Sequence, residues 1–152
     1  MAKEYIKVSL RGTVTESAAN TFTQVSIPTN IGQDARTVFV LSAVNLRWIG
    51  VFDQNETAGV QLTRQTKAAL AGLDDPDVLM TWNWELVMTT SGAQAVDRAP
   101  WTVVPEIAVA QSSLFLGVAG TNATNPYTVS VALWGYLQSV SQTDFYRIAS
   151  SV

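Results

Sequence analysis

A long alternating stretch near the C-terminus constrains the fold more than any other feature of this sequence. From Tyr127 to Val140, large apolar side chains share one face: Tyr127, Val129, Val131, Leu133 and Leu137. The opposite face is more polar but carries Trp134 and Tyr136. A period of two residues predicts a β-strand with one buried face. At about 3.3 Å per residue this strand would span roughly 45 Å, so it must run the length of a domain and lie beside strands from elsewhere in the chain.

The length of the chain and its charged fraction indicate the kind of domain that contains this strand. A chain of 152 residues is large enough to bury about 68–70% of its unfolded surface in one core. We therefore expect a single β-sandwich domain over residues 1–152, with short N- and C-terminal tails. Only 14% of the residues are charged, against about 25% in a typical globular protein. The surface must be unusually poor in charge.

The sequence contains no cysteine and no histidine. It therefore has no disulfide and no thiolate metal site, and it lacks the commonest general base near neutral pH. We expect a protein that is not an enzyme, with no catalytic residue, no cofactor and no metal. Scattered carboxylates leave a glycosidase-type pair as a remote alternative. The N-terminus has no apolar signal segment, and the uncharged run Ile107–Thr143 alternates like strands, so we expect no transmembrane segment.

Seven further segments show strand patterns, separated by turn residues. They are Tyr5–Val14, Thr21–Ile27, Thr37–Phe52, Val60–Thr63, Val78–Met88, Trp101–Ala110 and Ser113–Val118. Pro100 and Pro105 predict that the Trp101 segment is either an edge strand or a broken strand. Gln65–Leu73 favours one or two helical turns. Eight strands in a chain of this size predict an all-β fold, an antiparallel eight-stranded β-sandwich arranged as a single jelly roll, with an immunoglobulin-like sandwich as the alternative.

The segment Thr37–Phe52 differs from the others because both of its faces are apolar. One face carries Val38, Val40, Val44, Leu46 and Trp48, and the other carries Phe39, Leu41, Ala43, Ile49 and Val51. A strand of a small antiparallel sandwich is normally apolar on one side only. Either another element or another subunit covers the outer face, or a bulge rotates the pattern part-way along.

The remaining constellations favour packing over chemistry. Asp74, Asp75 and Asp77 have oxygen ligands for calcium, but an acidic turn before a strand is far more common. Trp82 and Trp84 share their face with apolar residues, which indicates core packing, whereas Trp134 and Tyr136 are better placed for surface recognition. Nucleic-acid binding is disfavoured because the nine Lys and Arg residues are dispersed and neither terminus forms a basic arm.

The pattern as a whole resembles the small single-jelly-roll coat proteins of icosahedral viruses and phages. The likeness is carried by the early strand Tyr5–Val14, the spacing of eight strands, the segment Gln65–Asp77 and the closing strand at Thr128–Leu137. It implies two four-stranded sheets and a subunit that assembles with copies of itself, with room for a second coat protein. One departure is the missing basic arm. The resemblance also implies that the protein is located in the virion, which is assembled in the host cytoplasm.

These observations predict a structural coat protein that forms a virion or virus-like shell through homotypic contacts. Few charges, a strand apolar on both faces and an aromatic tail suit a subunit that buries surface against its copies. The candidate interface residues are Phe39, Leu41, Ile49, Trp134, Tyr136, Phe145 and Tyr146. The alternative is a carbohydrate-binding or receptor-binding β-sandwich, lectin-like or spike-like, in which Trp134 stacks on a sugar ring.

Overall fold

A computed structural model of the chain describes residues 5–32, 34–49, 56–85, 87–89, 92–94 and 101–150. Within these ranges the chain forms ten strands and one helix. They are β1 (Ile6–Thr15), β2 (Thr23–Pro28), β3 (Thr37–Ile49), β4 (Thr57–Thr63), β5 (Val78–Glu85), β6 (Val87–Thr89), β7 (Gly92–Gln94), β8 (Trp101–Val109), β9 (Ser113–Thr121), β10 (Thr128–Ser139) and α1 (Gln142–Ser150).

Eight of the described strands form two four-stranded antiparallel sheets. The order in the first sheet is β1-β10-β3-β8, and the order in the second sheet is β2-β9-β4-β5. Strands that are distant in the sequence alternate within each sheet, which is the double Greek-key arrangement of a jelly roll. The predicted fold class is therefore confirmed. The predicted strand Val78–Met88 is shorter than expected, because β5 ends at Glu85 and β6 pairs with β7 in a separate hairpin; Leu86 lies outside the described residues.

β10 is one of the two interior strands of the first sheet, and it lies beside strands from elsewhere in the chain, as its length and alternation predicted. It pairs with β1 on one side and with β3 on the other. Its inward side chains, Val129, Val131 and Leu133, are buried against residues of the second sheet such as Leu116 and Leu62. β8 lies at the edge of the same sheet, as Pro105 required. The core is thus the space between the two sheets.

A bulge near Ser42 explains why β3 is apolar on both faces. On β10 the consecutive residues Gly135 and Trp134 pair with Leu41 and Ala43, so Ser42 is an extra residue of β3 in this ladder. The sequence pattern placed Phe39 and Leu41 on the face opposite Val44 and Leu46. The extra residue brings all four into the same core, and this part of the face assignment is corrected.

The outward residues on the first half of β3 are covered by the chain itself. Val38 and Val40 form a second apolar cluster with Ala110, and Phe145 and Ile148 of α1 pack against it. The sequence predicted a tail after the last strand, whereas Gln142–Ser150 is a helix. Ser141 caps it, because its hydroxyl oxygen accepts a hydrogen bond from the Asp144 amide at 3.1 Å. The bare apolar face of β3 is therefore covered within one chain.

The connection between β4 and β5 is an ordered loop rather than the predicted helical turns. The buried side chain of Gln61 donates to the Ala69 carbonyl at 3.2 Å and accepts from the Ala71 amide at 2.7 Å. Lys67 bridges the carboxylates of Asp75 and Asp77 at 2.8 Å each. This loop is therefore held by side-chain contacts instead of the backbone hydrogen bonds of a helix.

Two buried glutamates close one end of the sandwich. Glu16 accepts hydrogen bonds from the amides of Thr21 at 3.1 Å, Gly120 at 2.7 Å and Tyr127 at 2.8 Å. Glu56 accepts from the Thr124 amide at 2.8 Å and from the Tyr127 hydroxyl. In a chain without cysteine, these carboxylates tie the turn before β10 to distant strands.

Candidate functional site

The outer face of the first sheet carries the surface features most suited to recognition. Three of its strands lie side by side, and their outward residues form rows across the sheet. Lys7 is level with Tyr136, Ser9 with Trp134, and Arg11 with Ala132. The sandwich places these side chains outward because their neighbours Val8, Leu10 and Leu133 face the core.

An aromatic cleft occupies one part of this face. It has a volume of about 390 Å³, and it is lined by Lys7, Val8, Ser9, Ser42, Trp134, Gly135 and Tyr136. The ring of Tyr5 lies beside that of Tyr136, with centroids 4.7 Å apart and a tilt of 56°. Trp134 is half-buried and keeps part of its ring at the surface. The cleft thus offers aromatic surface next to a lysine and hydroxyl groups.

Glu106 on β8 holds the edge of this cleft. The Tyr136 hydroxyl donates to one carboxylate oxygen at 2.7 Å, and the Ser42 hydroxyl donates to the other at 2.7 Å. These hydrogen bonds, that of Tyr136 first, hold the pKa of Glu106 below its ordinary value. The same bond to Glu106, together with burial, raises the pKa of Tyr136 to about 12. Glu106 is therefore charged and already engaged at neutral pH.

A polar groove continues from the cleft along the same face. Its volume is about 350 Å³, and its lining includes Arg11, Thr13, Asn45, Arg47 and Ser130. The hydroxyls of Thr13 and Ser130 hydrogen-bond across the strands at 2.9 Å. Both arginines are exposed. The groove therefore combines cationic, amide and hydroxyl groups.

Large apolar side chains remain exposed at separate places around the body. Ile6 is 65% exposed at the start of β1, Val104 is 84% exposed on the edge strand β8, and Tyr146 is 56% exposed on α1. Ile6 also lines a groove of about 500 Å³ beside Leu137. Leu73, in the loop between β4 and β5, is exposed as well. Folding of this chain alone leaves these groups in water.

The predicted interface residues do not all lie at the surface of the structure. Phe39 and Leu41 are fully buried in the core, which corrects their assignment to a surface, because the bulge near Ser42 turns them inward. Ile49 is 45% exposed at the end of β3. The other four gather near one end of the first sheet: Trp134 and Tyr136 in the cleft, and Phe145 and Tyr146 on α1.

The other sequence candidates have packing roles. Trp84 is buried, and Trp82 packs against the core, as their shared face predicted. Asp75 and Asp77 pair with Lys67. Among the described residues, no group of three or more acidic, cysteine or histidine side chains is arranged to hold a metal ion. No helix in the described ranges is long and apolar enough to cross a membrane.

Sequence reasoning missed two parts of this face. Glu106 follows Pro105 in a broken strand, and nothing local indicates its contacts with Ser42 and Tyr136, which lie 64 and 30 residues away. Arg11 and Arg47 are far apart in the chain, and only the strand order brings them to one groove. The capping pattern Ser141-Gln-Thr-Asp144 was a usable signal for the missed helix.

No family model matches the chain, and no curated protein sequence matches it. Two virus structures are similar in fold. The structure of tomato aspermy virus has 14% identity over 89% of this chain and 81% of that chain, with a TM-score of 0.44. The cowpea mosaic virus top component, described as naturally occurring empty particles, has 13% identity over 93% of this chain and 88% of that chain, with a TM-score of 0.33. The jelly-roll assignment itself depends on the strand order of this chain.

Proposed function

We propose that this chain is a structural coat protein that assembles with copies of itself into a virion or virus-like shell, located in the virion and assembled in the host cytoplasm. Viral coats, lectins and cupins all use the jelly-roll fold, so the fold alone does not decide which of these functions the chain has. The choice depends on the surface. The proposed role is non-enzymatic and needs no cofactor.

The observation that carries the proposal is the spread of exposed apolar groups around the body. Ile6, Val104 and Tyr146 lie on β1, β8 and α1, and Leu73 lies beside the second sheet. Each of these is a single exposed side chain, and their positions on different elements suit a subunit that contacts several neighbours. The low charged fraction of 14% fits surfaces that come into contact with one another.

The proposed contacts retain five of the residues predicted from the sequence: Ile49, Trp134, Tyr136, Phe145 and Tyr146. Tyr146 is the strongest of them, because its ring is exposed and its position is fixed by the helix and by Phe145, whose ring centroid is 5.8 Å away. An aromatic group held in place loses little conformational entropy when it is buried by a neighbour. Ile6 and Val104 join this set on the basis of their exposure.

A surface variant tests the proposal. In the triple variant Ile6→Ser, Val104→Ser and Tyr146→Ser, the exposed apolar groups are removed while the core is untouched, so we expect particles to be lost and the fold to be kept. The matched control changes exposed polar residues on the same three elements, Thr15→Ser, Thr102→Ser and Arg147→Ser, and should still assemble. Light scattering gives particle size, and circular dichroism reports the fold. Normal particles from the triple variant would refute the role of these side chains.

A carbohydrate-binding module is the second candidate, favoured by the half-buried Trp134 in a cleft that also contains the hydroxyl groups of Ser9 and Ser42. A glycan array probed with the wild type and with Trp134→Ala distinguishes it. Sugar binding that is lost in the variant, by a protein that stays a small oligomer, would favour this candidate over the shell.

A further inference from the structure

The loop between β4 and β5 carries an exposed leucine on an anchored turn. Leu73 is 72% exposed. It and Asp74 are the central residues of a β-turn, which is closed by a hydrogen bond from the Asp75 amide to the Gly72 carbonyl at 3.1 Å. The ion pairs of Lys67, described above, hold the base of this turn. A large apolar side chain is therefore held in water at a fixed position.

The same turn carries a negative charge that its own chain does not pair. Asp74 is exposed, and within the described ranges its carboxylate forms no hydrogen bond and no ion pair. Leu73 and Asp74, which we call the knob, present an apolar group and a carboxylate side by side. A surface complementary to the knob offers an apolar recess bordered by a cation.

The aromatic cleft on the first sheet has this combination. Its lining includes Trp134, Tyr136 and the exposed Lys7, which forms no ion pair with any described residue. Of the three grooves described above, only this one has both an aromatic wall and a cation. The groove beside Leu137 has no cation in its lining, and the groove at Arg11 has no aromatic ring. The volume of the cleft, about 390 Å³, is ample for a leucine side chain.

The knob and the cleft lie on opposite sides of the sandwich. Gln61 projects outward from β4, because its neighbours Val60 and Leu62 face the core. Its side chain bonds the carbonyl of Ala69 and the amide of Ala71, so the loop crosses the outer face of the second sheet. The cleft opens on the outer face of the first sheet. The two sheets, packed about 10 Å apart, separate the two sites, so the knob does not reach the cleft of its own chain.

We propose that the knob of one copy inserts into the aromatic cleft of a second copy, with Leu73 against Trp134 and Tyr136 and the Asp74 carboxylate paired with Lys7. The inference rests on the proposed assembly with copies of the chain and names one of its contacts. Both halves of the contact are on this chain, so a second copy fills the cleft without a further partner. Because two different surfaces meet, the contact is heterologous, and its repetition closes a ring where the rotation between neighbours allows it.

Two variants, each blocked in one half of the contact, test it by biolayer interferometry. Leu73→Glu places a charge on the knob and leaves the cleft open, whereas Ser9→Glu places a carboxylate in the lining of the cleft and leaves the knob intact. Both positions are exposed. Immobilised Leu73→Glu should bind soluble Ser9→Glu at least about tenfold more tightly than either variant binds itself, because only the mixed pair has an intact knob and an open cleft. Equal binding in the mixed and the self pairs would overturn the proposal.

Matched controls place the same charge outside the contact. Ala68→Glu lies in the same loop as Leu73, and Thr13→Glu lies four residues beyond Ser9 on β1; both positions are exposed. Each control should bind itself as tightly as the wild type does, because its knob and cleft are intact. Self-association that falls as much in Ala68→Glu as in Leu73→Glu would show an effect of added charge alone and would reject the contact.

The ion pair has a separate readout in the mixed pair. Asp74→Lys in the soluble partner and Lys7→Glu in the immobilised partner should each weaken binding about threefold at low salt, and both changes together should restore it. Additive losses would refute the pairing of Asp74 with Lys7. Absence of mixed binding, together with glycan binding by Leu73→Glu, would assign the cleft to a sugar and overturn the contact.

Light scattering of the wild type keeps the contact and the shell distinct. Wild-type particles without binding in the mixed pair would reject only the contact. A mixed pair that binds, from a wild type that forms no particles, would reject only the shell.

Discussion

Glu16 is the residue on which the closed end of the sandwich depends most. Its carboxylate accepts three backbone hydrogen bonds, on both oxygens. In Glu16→Gln the amide group would present N–H donors to backbone N–H donors, so at least one buried donor loses its acceptor. We expect a loss of about 1–3 kcal/mol in the free energy of unfolding, measured by urea denaturation.

The control for this change is Asp74→Asn, the same chemical substitution at an exposed position. It should alter stability by less than about 0.5 kcal/mol. Equal stability of the two variants would mean that the Glu16 hydrogen bonds do not hold the turn before β10.

Tyr136 and Glu106 predict a specific pH dependence. The bond to Glu106 raises the pKa of Tyr136 from 10.0 to about 12, so its stabilising contribution is complete below about pH 10 and is lost as the pH rises through about 12. The pKa of Glu106 is lowered from 4.5, so its contribution is complete above about pH 4.5 and is lost as the pH falls through the lower folded value. Ultraviolet titration of tyrosinate should show a late-titrating component that decreases in Tyr136→Phe. In Glu106→Gln that tyrosine should titrate earlier; an unchanged curve would contradict the assignment.

At the scale of single residues, the sequence predicts burial better than it predicts partners. Alternation alone identified the buried face of β10, including Tyr127 and Leu133. It did not identify the contact between Glu16 and Tyr127, which are 111 residues apart. A hydrogen bond between distant segments leaves no local periodic signal, so the buried glutamates and Glu106 were visible only as scattered carboxylates.

Among the elements, the pairing of β10 with β3 depends on a glycine at the bulge. A Cβ atom on Gly135 would overlap the carbonyl oxygen of Val40 and would lie 2.9 Å from the ring of Phe39. The backbone of a central strand cannot move away, so we expect Gly135→Ala to lose about 3 kcal/mol in urea denaturation. Gly32→Ala is the control, because its nearest neighbour would be 3.6 Å away. Similar midpoints for both variants would contradict the geometry at the bulge.

Helix α1 carries two adjacent aromatic residues, one packed mainly on the body of the chain and the other mainly exposed. Phe145 packs on the cluster around Val38 and Val40, whereas Tyr146 is 56% exposed. We expect Phe145→Ala to lower the free energy of unfolding by about 2 kcal/mol and Tyr146→Ala by less than about 1 kcal/mol. Particle formation should respond in the opposite order at temperatures where both variants are folded. Thermal unfolding and light scattering, run together, measure both; loss of particles in neither variant would remove α1 from the proposed interface.

Elements with strong alternation were predictable, and those governed by a single extra residue were not. β1, β8 and β10 appear close to their predicted bounds. In β3 both faces are largely apolar, so nothing in the sequence marks where the bulge exchanges them. α1 was predicted as a tail because its only local signal is a short cap, and its stability depends on the apolar strip beneath it.

For the whole molecule, the sequence predicted the class of fold but not the arrangement of its surface. Eight strands with regular turns lead to a jelly roll, since few architectures accommodate that number in one domain. The surface follows from strand order, which places Arg11 near Arg47 and leaves Ile6 and Val104 in water. The bulge near Ser42 places Phe39 and Leu41 inside. The proposed interfaces therefore combine residues predicted from the sequence with Ile6 and Val104, which the alternation alone did not select.

Assembly is the property on which the account as a whole depends. The most direct measurement is negative-stain electron microscopy of the purified wild-type chain, with light scattering over a series of protein concentrations. A coat protein of this kind should form closed particles of uniform size above a threshold concentration. A protein that stays monomeric at the highest concentration reached, with no particles in the micrographs, would contradict it.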